Sequence, residues 1–305
     1  MKFKFIKYTK VWFSISMIAI LIGVFGMVQN KISTGSFLEM GIDFTGGSSM
    51  EFQFESETTP LLIKESINTG YSIGLENPVN AVGQIAETGE GTFIVQAKDL
   101  TEEQLTNIST ELTNDIGNFE MLRFTTIGPK VGETLKQKAF TALIIALIAI
   151  VLYIAYAFRK VPKRVSPWKF GIAAIAALTH DILITLGIFA LLGFEINIFF
   201  ITALLTIMGF SVHDTIVVFD RIRENLKKQN RDDTFGDVAD ISLNQTLTRS
   251  INTSISTLFP LVALYIWGSE SIQTFVFALL IGILVGTYSS IFIASPLLTI
   301  WQRKR

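Results

Sequence analysis

Six stretches of the chain are apolar over about 20 residues, which is the length that an α-helix needs to cross the hydrocarbon core of a bilayer. Half of the 305 residues are hydrophobic and 17% are charged, whereas soluble domains typically contain about 25% charged residues. The sequence therefore predicts a polytopic α-helical membrane protein with six transmembrane helices. The predicted spans are residues 11–28, 137–158, 170–192, 198–219, 251–267 and 272–300.

The lysine and arginine residues fall on alternate connections between these spans. Four lie among the first ten residues, five in 159–169, six in 221–249 and three at the C-terminus, whereas the connections 193–197 and 268–271 contain none. Since cytoplasmic segments are enriched in basic residues, both termini are predicted to be cytoplasmic. The first apolar stretch is interpreted as a retained anchor, because it is long for a signal peptide and no small-residue cleavage site follows it.

With this topology, residues 29–136 form one extracytoplasmic domain between the first two helices. Phe52 and Phe54 alternate with polar residues, which indicates a half-buried strand, and Pro60 and Thr101 begin two predicted helices. With a strand pair and a closing strand, the order becomes β-α-β-β-α-β, which predicts an α+β ferredoxin-like domain. The predicted organisation is 1–28 (tail and first span), 29–136 (outer domain) and 137–305 (a five-helix bundle with cytoplasmic loops 159–169 and 220–250).

The segment "GIDFTGGSS" at 41–49 contains Gly41, Asp43, Gly46 and Gly47. A phosphate-binding loop is disfavoured, because the Gly-Lys-Ser/Thr ending is missing and no helix is predicted after it. We interpret the segment as a turn in which the glycines permit unusual dihedral angles or a close approach of chains near the membrane surface.

Polar side chains occur within three of the spans. Asp181 lies near the middle of the third span, next to His180. Asp214 lies within the fourth span, next to His213. A charged side chain at the bilayer centre costs at least about 2.5–3.5 kcal/mol, so an intramembrane acid indicates a functional site by default.

The fifth span adds hydroxyl side chains at spacings of three and four residues, which places them on one helix face. Such a stripe is either a packing surface between helices or part of an ion path, and the sequence leaves both interpretations open. The polar candidates for these roles are His180, His213, Arg249, Ser250, Thr253, Ser254 and Thr257.

Several other kinds of chemistry are disfavoured by the residue types. The chain has no cysteine, which excludes disulfides, thiolate metal sites and cysteine nucleophiles. Adjacent residues point about 100° apart on a helix, so each His-Asp pair offers one ligand to a given centre, too few for a metal site. Nothing supplies the exposed nucleophile and oxyanion site of a serine hydrolase. We therefore expect no enzymatic activity, no metal and no organic cofactor.

The chemistry that remains for the two intramembrane aspartates is reversible neutralisation of their charge. Desolvation favours the neutral form of a carboxyl, so an aspartate in a dry helix bundle can bind a proton and release it when the site opens to water. A carboxylate with nearby hydroxyls suits H⁺ or Na⁺ as the coupling ion. One charge crossing 100 mV supplies about 2.3 kcal/mol, which is enough to shift a domain between two states. We expect Asp214 and Asp181 to be the ion-coupling residues.

Two further motifs are assigned structural roles. Gly282 and Gly286 have the GxxxG spacing of closely packed membrane helices. The sequence "DRIREN" is predicted to mark the cytoplasmic end of the fourth span and to fix the base of that helix. Its polar residues are Asp220, Arg221, Arg223, Glu224 and Asn225.

Taken together, the motifs resemble the SecF proteins of the SecD/SecF family, within the resistance-nodulation-division superfamily. They occur in the family's order and extend over nearly the whole chain, although the glycine motif alone is shared with SecD. The matching segments are "GIDFTGGSSMEF" (41–52), "GPKVGETL" (128–135), "LTHDILITLGIF" (178–189), "GFSVHDTIVVFDRIREN" (209–225), "NQTLTRSINTS" (244–254) and "GTYSSIFIASPLL" (286–298).

This resemblance implies a fold similar to half of a resistance-nodulation-division transporter, in the cell membrane of a prokaryote. It implies a role in the late step of protein export that depends on the proton-motive force, with the outer domain acting on the preprotein. The family's ion-coupling acid falls on Asp214, and Asp181 matches the acid of the third-helix motif. Position 213 is often Asn in the family and is His here, which leaves the role of His213 open.

The resemblance also implies several partners. They are a separate SecD-like subunit, a SecYEG-type channel, the translocating preprotein and a small membrane subunit of the YajC type; no nucleic acid is expected. Two other functions are retained as alternatives. One is half of a small-molecule secondary transporter, which would require a substrate cavity. The other is a scaffold of the translocon that is not coupled to an ion gradient.

Overall fold

The computed structural model describes residues 3–303, except 76, 78, 90, 160–165 and 229–232. The contacts between residues divide the chain into two compact units. The first unit contains the described residues up to Glu39 and from Thr141 onward, and the second contains Met40–Phe140.

The described residues form helices along most of the chain and a group of strands between Gly47 and Ile127. In chain order the helices are α1 (Thr9–Thr34), α2 (Ile42–Thr45), α3 (Pro60–Ser72), α4 (Glu102–Asp115), α5 (Pro129–Ala157), α6 (Pro167–Leu192), α7 (Ile198–Lys227), α8 (Phe235–Trp267), α9 (Glu270–Ser289) and α10 (Ser295–Arg303). The strands are β1 (Gly47–Phe54), β2 (Val82–Gly89), β3 (Thr92–Ala97) and β4 (Phe119–Ile127).

Within the described residues, six helical segments are long and apolar enough to cross a membrane. They are built on α1, α5, α6, α7, α8 and the pair α9–α10. One turn of π-helix, Ser290–Ala294, joins α9 to α10 within the last segment. The number of spans therefore agrees with the six apolar stretches of the sequence, and this is a multi-pass membrane protein.

The ends of the helices differ from the predicted spans where polar residues continue a helix. The predicted loop 220–250 is helical for most of its length, because α7 continues to Lys227 and α8 begins at Phe235. Thr234 and Asp237 form a capping box, in which each side chain satisfies a backbone N–H group at the start of α8. The predicted loop 159–169 falls largely on 160–165, which lie outside the described residues.

The interior of the helical unit is formed mainly by α6, α7 and α9. Gly282 of α9 faces the side chain of Ile207, and a Cβ atom at Gly282 would collide with it. A Cβ atom at Gly286 would lie 3.0 Å from the Cβ of Ser211. The two glycines thus let α9 pack closely against α7, as their spacing predicts, and this proximity positions the polar residues of both helices.

The second unit contains a four-stranded antiparallel sheet with the order β2-β3-β1-β4, counted over the described residues. Its elements follow in the order strand, helix, strand, strand, helix, strand, which agrees with the predicted order. Thr101 and Gln104 form a capping box at the start of α4, and Pro60 is the first residue of α3. The core side chains of this unit include Met50, Phe52, Phe93, Ile63, Ile67, Ile108 and Leu112.

The glycine motif leads from the short helix α2 into β1. Gly46 and Gly47 have positive φ angles of 75° and 132°, which side chains with a Cβ atom rarely adopt. A Cβ atom at Gly46 would lie 2.7 Å from the Cα of Pro129, and one at Gly47 would lie 2.6 Å from the backbone oxygen of Ala97. Gly41 differs from the expectation, because it has an ordinary extended conformation with φ −66° before α2, in whose first turn Asp43 lies.

Candidate functional site

Asp214 is buried within α7 and contacts hydroxyl groups from two other parts of the bundle. Ser250 of α8 donates a hydrogen bond to its Oδ1 atom at 2.6 Å, and Ser290 of the π turn donates to its Oδ2 atom. Because Ser250 and Ser290 are themselves buried, water is kept from the carboxyl. Among the described residues, Asp214 has no basic partner within ion-pair distance. The local chemistry is therefore a carboxyl group surrounded by neutral donors.

Asp181 occupies a similar setting on α6 and is fully buried. Ser211 of α7 and Ser289 of α9 donate to its Oδ2 atom at 2.6 and 2.8 Å. Its Oδ1 atom lies 2.9 Å from Nδ1 of the neighbouring His180. Thus each intramembrane aspartate accepts hydrogen bonds from two serines on other segments, and only Asp181 also has a histidine partner.

His180 extends the contacts of Asp181 toward α1. Its Nε2 atom lies 3.0 Å from the hydroxyl of Ser16, which lies 3.4 Å from the hydroxyl of Tyr288. Tyr288 in turn donates to the backbone oxygen of Trp12 at 2.9 Å. The result is a continuous hydrogen-bonded chain from the carboxyl in the bundle interior to the first helix.

This chain has two arrangements of hydrogens that satisfy its members. With Asp181 ionised, Nδ1 of His180 donates to it and Nε2 accepts from Ser16. With Asp181 protonated, the carboxyl donates to Nδ1, Nε2 donates to Ser16, and Ser16 donates to Tyr288. A proton can therefore be taken up at Asp181 without leaving a buried polar group unpaired, which would cost about 1–3 kcal/mol.

Adjacent serines on one turn contact the two different carboxyls. Ser289 ends α9 and contacts Asp181, whereas Ser290 begins the π turn and contacts Asp214. Neither serine is among the residues predicted from the sequence, where only Gly286 of this segment has a role. The sequence does contain a signal for them, which is a pair of adjacent hydroxyl residues within an apolar span that also contains the GxxxG motif.

The hydroxyl stripe of α8 divides between the interior and the surface. Ser250 contacts Asp214, and Ser254 lies 2.5 Å from the hydroxyl of Thr287 on α9. Thr257 is half-buried and donates to the backbone oxygen of Thr253 within its own helix. The stripe thus supplies one direct partner of the carboxyl and one contact between helices.

Two further sequence candidates point away from both carboxyls. His213 is exposed on α7, since it is rotated by about 100° from the buried Asp214. Arg249 is exposed on α8, next to the buried Ser250. Both side chains lie in the interior of membrane-spanning helices and point away from the bundle, so they belong to its outer face.

The "DRIREN" segment joins the end of α7 to the first half of α8. Arg221 and Asn225 each donate to the side chain of Gln245, at 2.7 and 2.8 Å. These bonds fix the two helices to each other where α7 ends. The ion pairs within the segment join Asp220 to Arg223 and Arg221 to Glu224.

No group of three or more histidine, aspartate or glutamate side chains in the described part of the chain has the arrangement of a metal site. What the buried residues offer instead is a pair of carboxyls whose partners are hydroxyl and imidazole groups. Each of these partner groups can both donate and accept a hydrogen bond, so the arrangement is chemically compatible with two protonation states of a carboxyl.

Two protein-family models match the chain. The model described as Protein export membrane protein SecD/SecF, C-terminal, matches residues 107–304, which is more than half of the chain. The model described as SecD/SecF GG Motif matches residues 38–58, which include Gly46 and Gly47.

Curated relatives and solved structures agree with these matches. The chain is 44% identical to the protein translocase subunit SecF of Thermobaculum terrenum over 88% of this chain and 86% of that protein. It is 36% identical to the subunit SecF of a Synechocystis species over 100% of this chain and 96% of that protein.

The crystal structure of SecDF, a translocon-associated membrane protein from Thermus thermophilus, is similar with a TM-score of 0.80 and 32% identity. The similarity covers 100% of this chain and 39% of the SecDF chain, so this chain spans about two fifths of that protein. A second structure, of SecDF in a super-membrane-facing form, gives a TM-score of 0.67 with 31% identity.

Proposed function

Because this chain belongs to the SecD/SecF family of protein-export membrane proteins and has an accessory role in the Sec pathway, we propose that it couples export to the proton-motive force. Protons cross the membrane by way of Asp214, and their flow drives motions of the outer domain that promote the late stage of preprotein export. The protein acts as a coupling subunit rather than as an enzyme, with H⁺ as its coupling ion and no cofactor.

The observation that carries this proposal is the setting of Asp214. Its partners are neutral hydroxyls, and no basic side chain pairs with it among the described residues, so no fixed positive charge holds it in the ionised form. If the two states of the bundle expose it to opposite sides of the membrane, each cycle moves one proton. A charge that crosses 100 mV releases about 2.3 kcal/mol, which can shift a two-state equilibrium roughly fifty-fold.

We further propose that a SecD-type subunit covers the outer face of the bundle that contains His213 and Arg249. Both side chains are exposed on helices that cross the membrane. Arg249 lies beside Ser250, which contacts Asp214. An arginine that faces lipid within a span has an insertion cost that reaches about 2.5–3.5 kcal/mol at the bilayer centre, and a polar or acidic partner helix lowers that cost. Asn252, three residues after Arg249, is exposed on the same face of α8, and its side-chain amide can hydrogen-bond to the same partner helix.

The outer domain is proposed to be the part that acts on the preprotein. Its order of strands, β2-β3-β1-β4, and its element order support a ferredoxin-like α+β fold. The distribution of lysine and arginine supports its placement outside the cytoplasm of a prokaryotic cell, with both termini inside. The channel beside which it works would be of the SecYEG type, with a small YajC-type subunit as a further member.

The proposal is tested by translocation of a preprotein into vesicles that contain the channel, this chain and its SecD-type partner. A proton gradient directed from the extracytoplasmic to the cytoplasmic side should raise the yield several-fold over vesicles without a gradient. A sodium gradient alone should give no increase.

Each other outcome contradicts a stated part of the proposal. Full stimulation by sodium alone would replace H⁺ by Na⁺ as the coupling ion. Equal yields with and without any gradient would favour the uncoupled scaffold. Accumulation of a small solute in vesicles that lack the channel and the preprotein would favour the secondary transporter.

A further inference from the structure

Ser289 and Ser290 share a feature that goes beyond contact with a carboxyl. The Oγ atom of Ser289 lies 2.8 Å from Oδ2 of Asp181 and 3.1 Å from the backbone oxygen of Gly286. The Oγ atom of Ser290 lies next to Oδ2 of Asp214 and 3.0 Å from the backbone oxygen of Thr287. Each hydroxyl therefore has two acceptors, one on another helix and one three residues earlier in its own segment.

A hydroxyl has one hydrogen to donate and two lone pairs with which to accept. When the aspartate is ionised, the serine donates to the carboxylate. When the aspartate is protonated on Oδ2, that oxygen donates to the serine, whose own hydrogen rotates to the backbone oxygen. At Asp181 this is the alternative to protonation on Oδ1 with donation to His180. Both states keep every buried polar group paired, and leaving one unpaired would cost about 1–3 kcal/mol.

The other two serines of the site lack this second acceptor. In the described part of the chain, Ser250 donates only to Asp214 and Ser211 donates only to Asp181. Each of these serines can donate only to its carboxyl, whose oxygens still accept a hydrogen bond when the carboxyl is protonated. Among the four serines that contact the carboxyls in the described part of the chain, a second acceptor is thus confined to the adjacent pair at the junction of α9 and the π turn.

The junction explains how neighbouring residues reach two different helices. Adjacent side chains on a helix point about 100° apart, so Ser289 faces Asp181 on α6 while Ser290 faces Asp214 on α7. The widened turn begins at Ser290, and Ser295 donates from its side chain to the backbone oxygen of Ser290 at 3.2 Å. Single π turns of this kind are often found at functional sites.

We propose that Ser289 and Ser290 form a paired hydroxyl switch, in which each serine reverses its hydrogen bond when its aspartate gains or loses a proton. Because the two serines are adjacent on one turn of the last span, a change of protonation at either carboxyl changes a hydrogen bond of that same turn. This inference rests on the proposed function, because it assumes that the aspartates change protonation during the cycle.

The ionisable groups around the switch are few. His180 is hydrogen-bonded to Asp181, and the ring of Tyr288 lies 6.1 Å from the ring of His180. Among the described residues, no other ionisable side chain is hydrogen-bonded or ion-paired to either carboxyl. A change in the hydrogen bond of one serine should therefore be seen mainly at the carboxyl that it contacts.

The test is infrared difference spectroscopy of the full-length chain, purified with its partner subunit in lipid vesicles, between alkaline and acid pH. The C=O stretching band of each protonated carboxyl is assigned by its loss in Asp181→Asn or Asp214→Asn. Ser290→Ala should shift the Asp214 band and leave the Asp181 band in place. Ser289→Ala should do the reverse.

A matched control is Thr246→Val, which removes a buried hydroxyl of α8 that donates only to backbone oxygens of its own helix. It should shift neither band. If each serine variant shifts both bands or neither, the paired switch is overturned. Absence of an Asp214 band at every pH would instead contradict the proposed function, since the residue would not then take up a proton.

Discussion

Asp214→Asn is expected to abolish the stimulation of preprotein translocation by a proton gradient and to leave the gradient-independent yield unchanged. The amide has nearly the shape of the carboxyl and still accepts the hydrogen bond of Ser250, so the helices should keep their packing. The amide cannot bind and release a proton, so the variant cannot use the free energy of the proton gradient. The measurement is the yield in vesicles with and without the gradient.

Asp220→Asn provides a matched control on the same helix. Asp220 is exposed and pairs with Arg223, three residues later. Ion pairs at the protein surface contribute about 0–1 kcal/mol, so this variant should retain nearly the full stimulation. Undiminished stimulation in Asp214→Asn would refute the assignment of Asp214. An equal loss in both variants would show that the effect is not specific to the buried carboxyl.

The second large effect is expected at the contact between α1 and α6. A Cβ atom at Gly187 would lie 2.5 Å from the Cα of Gly23. Because that Cα is a backbone atom, it cannot rotate out of the way as the end of a side chain could. Gly187→Ala should force the two helices apart, and overpacking of this kind costs about 1–3 kcal/mol or more. The free energy of unfolding, measured by denaturant titration in detergent micelles, should fall by this amount.

Gly209→Ala on α7 is the control for this prediction. No atom lies within 4 Å of a Cβ atom built there, and the residue is in a helix interior. Alanine is favoured over glycine in helices by about 0.8–1.0 kcal/mol, so this variant should be as stable as the original chain or slightly more stable. Equal stability of the two variants would contradict the close contact between Gly23 and Gly187.

The helical part of the fold follows from the sequence because hydrocarbon leaves the backbone few choices. A long apolar stretch in a bilayer has to satisfy its own hydrogen bonds, and a helix does so. The start of α8 was harder to predict, since its first sixteen residues, 235–250, are mostly polar. Their helical structure is stabilised by the capping box at Thr234 and by the hydrogen bonds between Gln245 and α7. The local pattern of apolar residues indicates neither of these interactions.

The sequence pointed to the two aspartates of the candidate site but not to most of their hydrogen-bond partners. Asp214 and Asp181 were identified because an acid in hydrocarbon requires partners. The identity of those partners depends on which helices touch, so Ser16, Ser289 and Ser290 could not be chosen from among the many hydroxyl residues of the spans. His213 shows the opposite error, because a neighbour in sequence on a helix points in a different direction.

The most direct test of the central claim is proton entry itself, followed with a pH-sensitive dye inside vesicles that contain the full complex. With a proton gradient and a translocating preprotein, the original chain should admit protons faster than vesicles without preprotein. Asp214→Asn should reduce this translocation-dependent flux to the background, whereas Asp220→Asn should preserve it. A flux in Asp214→Asn equal to that of the original chain would contradict proton transfer through this carboxyl.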